Sequence, residues 1–180
     1  PPTPRTFWAE KIGDIKPLLQ EAVNERDTLG ISDREVTNGV ELFSNGEIEN
    51  AGSSFLKAIT TAPENPKVVN QLRICVNKSL ETGRWSDAGI LLEQAVGFAN
   101  IKEIFKDQLE LINQLNFIAL LIRQGRSRES LDEIIQYSTK NSGDSMALGN
   151  SYKNILLMGL ENSLASDDLE TAEKIVQLAT

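Results

Sequence analysis

Residues 38–63 read NGVELFSNGEIENAGSSFLKAITTAP, from Asn38 to Pro63, and this stretch decides how the rest of the chain is read. Val40, Leu42 and Phe43 make a short apolar face, and Ile48, Ala51, Phe55, Ala58 and Ile59 then recur three or four residues apart. That spacing belongs to two amphipathic helices. Asn45-Gly46 stands between them, and both residue types tolerate positive φ, so the chain turns there. Gly39, Ala51 and Ala58 are small where the two helices must touch, and Phe55 supplies the large group that fills the seam. Pro63 ends the second helix because its ring nitrogen has no hydrogen to donate to the ladder.

The same spacing returns along the chain. Gly83, Ala88, Leu92 and Ala95 repeat Gly46, Ala51, Phe55 and Ala58; Gly125, Ser130, Ile134 and Tyr137 follow, and Asp167, Ala172, Val176 and Ala179 close the series. The turn positions lie 37, 42 and 42 residues apart. Gly39, Leu42, Gly46, Ala51, Phe55, Ala58 and Pro63 together resemble the tetratricopeptide repeat, a helix–turn–helix unit with a period of about 34 residues. Glu35 and Asn38 occupy the places where that family has tryptophan and leucine, and the longer later intervals imply insertions or longer helices. The resemblance implies an all-α fold, a right-handed α-α superhelix of about four TPR-like helical hairpins with an N-terminal helical segment. The expected division is a linker and helical segment over residues 1–31 that packs on the first repeat, then one continuous domain over 32–180. Its repeats fall at about 32–65, 69–100, 101–140 and 145–180.

Local signals place the helices. Pro1 to Arg5 reads as an extended linker. Phe7, Trp8, Ile12, Ile15, Leu18, Leu19 and Val23 then give a helical pattern that Pro17 is expected to split or kink near Lys16 and Gly30 to end. Phe7 and Trp8 are alternatively contacts to a domain upstream. Ser32 with Glu35 has the form of a capping box opening the first repeat. Asn65-Pro66 is an N-cap followed by proline at the first helical position, opening a helix that runs to about Glu81. Its return helix is expected over Asp87–Phe98. A long helix from about Ile101 to Gln124 would be apolar on more than one side and so buried at the centre of the molecule. Arg126–Lys140, Ser145–Ala165 and Asp167–Ala179 complete the pattern, with a loop at Asn141–Asp144. The last helix still carries Ile175, Val176, Leu178 and Ala179. A repeat array needs a polar outer face at its end, so the expectation is that the chain continues past Thr180 or that this end is covered by a second copy or a partner.

Composition narrows the function. The 180 residues carry a net charge of −8, which suits neither a nucleic-acid backbone nor an anionic membrane surface. The expectation is therefore a cytoplasmic protein with no nucleic-acid or membrane partner. No apolar run approaches the ~20 residues of a membrane span, and no secretory signal is visible. The chain begins Pro-Pro-Thr-Pro without methionine, as a fragment or processed product would. Cys75 is the single cysteine and lies on an apolar helix face with Leu72 and Val76, so it reads as a small buried hydrophobe. There is no histidine, which removes the usual general base and most metal sites. Asp167-Asp168-Leu169-Glu170 lacks the spacing of a calcium loop and reads as acid at a helix N-terminus. Ser54 to Lys57 has the serine–lysine spacing of some acyl enzymes but not their companion motifs. Asn77-Lys78-Ser79, a glycosylation acceptor by sequence, falls inside a helix. The reading is not an enzyme, with no cofactor, no metal and no catalytic residue.

In the family resembled, the first helix of each repeat lines a concave groove that holds peptides or other proteins. The corresponding face here offers Val36, Val40 and Phe43, then Asn70, Arg73, Asn77 and Leu80. Ile112, Leu115, Ala119, Ile122 and Arg123 follow, then Asn154, Leu157 and Leu164. The groove candidates are Val40, Phe43, Asn70, Arg73, Asn77, Leu115, Arg123 and Asn154, with asparagine amides for a peptide backbone and arginine for a carboxylate. An alternative has the N-terminal segment filling the groove. Val36, Val40 and Ile74 occupy positions where chaperone-tail-binding members carry lysine or asparagine, so a clamp of that kind is not implied. The function expected is a non-catalytic protein–protein interaction scaffold. The alternatives are the regulatory or output half of a larger bacterial signalling protein, for example one fused to a receiver domain, and a self-assembling structural module, a homo-oligomer formed through the uncapped C-terminal end.

Overall fold

A computed structural model describes the backbone of residues 4–140 and 145–179, with side chains described for 15–137, 139 and 150–179. These residues form nine helices and no strand. They are α1 (Pro4–Ser44), α2 (Ile48–Thr61), α3 (Pro66–Glu81), α4 (Trp85–Glu93), α5 (Ala99–Ile104), α6 (Lys106–Arg123), α7 (Ser127–Lys140), α8 (Ser145–Ala165) and α9 (Leu169–Ala179). The all-α class is therefore as expected. None of the described helices is long and apolar enough to cross a membrane.

The turn positions read from the sequence are where the backbone turns left-handed. Gly46, Gly83 and Gly125 have φ of 83°, 75° and 73°, and Asp167 is the one described non-glycine residue with positive φ, at 59°. Each is followed by the same closing bond. The amides of Glu47, Arg84, Arg126 and Asp168 donate to the carbonyls of Leu42, Ser79, Leu121 and Ser163, five residues back, at 2.8–3.0 Å. The left-handed residue itself donates three residues back, Gly46 to Phe43 at 3.1 Å and Gly83 to Leu80 at 3.0 Å. This is the Schellman arrangement, which satisfies the orphan carbonyls of a helix end and redirects the chain into its partner. Five residues past each turn stands a small buried residue: Ala51, Ala88, Ser130 or Ala172. There the two helices of a hairpin approach closely. Gly39 and Gly159 mark close approaches too, since a Cβ would meet the Phe55 ring or the Ile175 side chain at 3.2 Å.

The hairpins are α1–α2, α3–α4, α6–α7 and α8–α9. The first two stack, with α3 on α1 and α2, and α4 on α2; the last two stack likewise, with α8 on α6 and α7, and α9 on α7. The junction between these pairs is different. α4 packs on α6 and α8 packs on α3, so α3, α4, α6 and α8 close a ring of four helices. The α3–α8 contact lies outside the neighbour-only pattern of a simple repeat array. Two buried apolar clusters result, one from Val36 to Ile112 and one from Leu115 to Ile175; Trp85 and Leu111 are half-buried and pack against both. Trp85 Nε1 donates to Asn116 Oδ1 at 3.1 Å across that junction.

Several boundaries differ from the sequence reading. α1 begins at Pro4 and runs unbroken through Pro17 and Gly30. From Ile15 to Ile31 it is exposed at every position, so water can serve the carbonyl that Pro17 leaves without a donor. Glycine in an exposed helix costs only ~1 kcal/mol relative to alanine, too little to end the helix at Gly30. Ser32 consequently lies inside a helix rather than at its start. Its buried hydroxyl donates to Ala58 O at 3.0 Å and accepts from Asn65 Nδ2 at 3.0 Å. The long helix expected from Ile101 to Gln124 is bent. Phe105 sits at φ −107°, ψ 18° between α5 and α6, while Phe105 N still bonds Ile101 O at 3.1 Å and Leu109 N bonds Phe105 O at 2.9 Å. The bend lets Ile101 and Phe105 both be fully buried. α4 ends at Glu93, short of Phe98. α3, α7 and α8 start and stop within a residue of the expected positions. The loop expected at Asn141–Asp144 lies outside the described residues.

Two carboxylates tie helix starts in place. Asp33 accepts from Asn65 Nδ2 and pairs with Lys67 Nζ, both at 3.0 Å, joining α1 to the start of α3. Asn65 is also the N-cap expected there, accepting from Lys67 N at 3.0 Å. Asp168 caps α9 through the Thr171 amide at 3.2 Å and the Thr171 hydroxyl at 2.8 Å. Asn65 and then Lys67 hold the Asp33 carboxyl below its ordinary value of 3.8, and Thr171 does the same for Asp168. A carboxyl with a depressed pKa contributes its stability in full above the ordinary value and loses it as pH falls through the lower folded value. Acid titration below about pH 4 should therefore destabilise the protein, and Asp33→Asn or Asp168→Asn should each flatten that dependence in urea melts between pH 2 and 5.

The turns give a second expectation. Gly46→Ala and Gly125→Ala meet no atom within 4 Å, so each should cost only the left-handed penalty of about 1 kcal/mol. Gly83→Ala should cost clearly more, because its Cβ would collide with Asn154 Nδ2 and stand 3.0 Å from Asn150 O. Asp167→Gly should raise stability. Urea denaturation of the four variants checks the ranking.

Candidate partner-binding surface

α3 forms because Asn65 caps it, Pro66 opens it, and Val68, Leu72, Cys75, Val76, Ser79 and Leu80 recur on one side and are buried. The opposite side is left open. Asn70, Arg73 and Ile74 are exposed there and Asn77 half-buried, all on one face of the helix by their spacing. Ile74 is 57% exposed, an apolar group framed by amides and a guanidinium. Arg73 is steadied by the bend between α5 and α6, its guanidinium carbon lying 5.9 Å from the centroid of the buried Phe105 ring.

The other expected groove residues are placed elsewhere. Phe43 is buried in the first cluster, with the Arg84 guanidinium 5.9 Å from its ring centroid. Leu115 is 1% exposed and belongs to the second cluster. Val40 is half-buried at the edge of the first cluster. Arg123 is exposed in the last turn of α6, where a cation complements the helix dipole. Val36, Leu80, Ile112, Ala119 and Ile122 are core as well, whereas Leu157 and Leu164 are exposed on α8. Of the eight candidates, Asn70, Arg73 and Asn77 are thus brought together on one open face.

Asn154 has a different part. Its Nδ2 donates to Gly83 O at 3.3 Å, beside Asn150 Nδ2 to Glu81 O at 2.6 Å and the Ser151 hydroxyl to Leu80 O at 2.6 Å. Three side chains of α8 therefore cap the C-terminal end of α3. Nothing in the repeat pattern marks Asn150 or Ser151. Their partners lie about 70 residues away, and the one local signal is a polar cluster, Asn150, Ser151, Lys153 and Asn154, just ahead of the apolar run Ile155–Met158.

Cys75 is 2% exposed, and burial pushes its thiol up to about 11, which suppresses the thiolate. Ser54 is buried, with its hydroxyl accepting from Asn38 Nδ2 at 2.8 Å, while Lys57 is exposed. Ser79 of the acceptor-like triplet is fully buried within α3. Among the described residues no group of three cysteine or carboxylate side chains could hold a metal ion. The chain matches no protein-family model, no curated protein and no solved structure.

The cap sets a measurable cost. Leu80 O keeps the Gly83 amide when the serine is removed, so Ser151→Ala should lower stability by about 1 kcal/mol, the small end of the range for a lost buried bond. Asn70→Ala, on the open face of the helix that Ser151 caps, should change it by less than ~0.5 kcal/mol. Chemical denaturation distinguishes the two.

Proposed function

We propose that the chain is a non-catalytic protein-binding scaffold that holds a peptide or protein segment along the open face of α3. The observation that carries this reading is Ile74, 57% exposed between Asn70, Arg73 and Asn77. An exposed apolar centre with a polar rim has the composition of a recognition surface. An asparagine amide offers both a donor and an acceptor to a peptide backbone, and a steadied guanidinium can grip a carboxylate through two parallel bonds. The hairpins are read as tetratricopeptide-like repeats wound in a right-handed superhelix. The recurrent left-handed turn and the small residue five positions later support that reading. A charge of −8 supports a partner segment that is neutral or basic rather than a nucleic acid. A cytoplasmic location accords with a single thiol that is buried and inert.

Selection from a phage-displayed library of random peptides tests the assignment. Peptides enriched on the protein should lose at least tenfold in affinity on Arg73→Glu and on Ile74→Asp, and severalfold on Asn77→Ala, with thermal melting unchanged. Undiminished binding to all three variants would move the site off α3.

A further inference from the structure

At the repeat position held by Phe55, Leu92 and Ile134 the side chain is fully buried, but Val176 holds that position in the last hairpin and is 47% exposed. Three residues on, Ala179 is exposed where Ala58, Ala95 and Tyr137 are buried. Both open onto a cleft of about 520 Å³ between α8 and α9, lined also by Leu157 and Leu160, with the exposed Lys153 beside them. The cleft is lined mostly by apolar side chains and is open to solvent.

Towards the other end of the chain, residues 15–31 of α1 form a helical arm. Ile15, Leu18, Leu19, Ala22, Val23 and Leu29 fall on one side of it, with Arg26 the one charged residue among them. That stripe is at least as wide as the ~100° face by which helices usually seat in a core. Glu21 and Glu25 border it on one flank, opposite in charge to Lys153. Helices in proteins draw most of their stability from packing such a face. α1 is one helix as far as Ser44 and packs on α2 and α3, so the arm cannot fold back into its own cleft without breaking. The cleft of a second molecule has no such obstacle.

We propose that the arm of one copy docks in the α8–α9 cleft of another, with its apolar stripe against Leu157, Leu160 and Val176 and with Glu21 or Glu25 meeting Lys153. The contact is head-to-tail, so it closes into a ring or extends as an open chain. It does not involve the α3 face, and either assignment can fail while the other stands.

Sedimentation velocity of the 180-residue chain across a concentration series is the test. The unmodified protein should gain mass with concentration. Leu18→Asp/Leu19→Asp, in the arm, and Val176→Asp, in the cleft, should each stay monomeric. An equimolar mixture of the two variants should form a particle of twice the monomer mass and no larger, because one sound arm and one sound cleft remain. A protein that is monomeric throughout overturns the proposal. So does self-association of the cleft variant, which would mean that arms pair with arms, or of the arm variant, which would mean that clefts pair with clefts. A mixture that stays monomeric overturns it too. All three substituted residues are exposed, so circular dichroism should be unchanged; if Val176→Asp fails to fold, Leu157→Asp, also exposed, replaces it.

Discussion

Every described hairpin depends on one hydrogen bond, from the amide after a left-handed residue to the carbonyl five positions earlier. The bond ends one helix and aims the next, and it demands a backbone conformation that most side chains resist. Three of the four turns meet that demand with glycine and the fourth with aspartate, one of the few other residues that tolerates it. Because the turn is the same each time, the small residue that follows it arrives each time at the place where two helices touch. Turn and seam are in this sense a single constraint, and the apolar residues around them need only be of suitable size.

The middle of the molecule shows how far that constraint reaches. It fixes the geometry within a hairpin but says nothing about which hairpin lies beside which. α8 settles on α3 through three polar side chains that serve carbonyls at the end of α3. The ring of α3, α4, α6 and α8 that results brings the two buried clusters together at Trp85 and Leu111. It also leaves the outward side of α3 free, and there Asn70, Arg73, Ile74 and Asn77 lie.

Much of this was legible in the sequence. The turn positions, the Asn65 cap and the limits of α3, α7 and α8 each rest on signals within a few residues of one another. What was not legible involved distance or strength. Phe43, Leu115 and Asn154 read as groove residues because periodicity shows that a helix has a second side without showing what lies against it. The α3–α8 contact joins residues about 70 apart and leaves no periodic trace. Pro17 and Gly30 read as interruptions of α1, but an exposed glycine costs only ~1 kcal/mol, and the carbonyl that Pro17 leaves without a donor faces water. The bend at Phe105 follows from the need to bury two large side chains at once, a demand set by the neighbours rather than by the helix itself.

The cap on α3 has a consequence for the order in which the chain takes shape. A row of helical hairpins can ordinarily assemble from one end, since each contact joins segments close in sequence. Here the last turn of α3 waits for Asn150, Ser151 and Asn154, which leave the ribosome long after it does. Until then the Glu81 and Gly83 carbonyls must be served by water, and the sides of α3 and α4 that complete the ring stay open. The second hairpin, among the first to be made, thus cannot be finished until the fourth has begun to form.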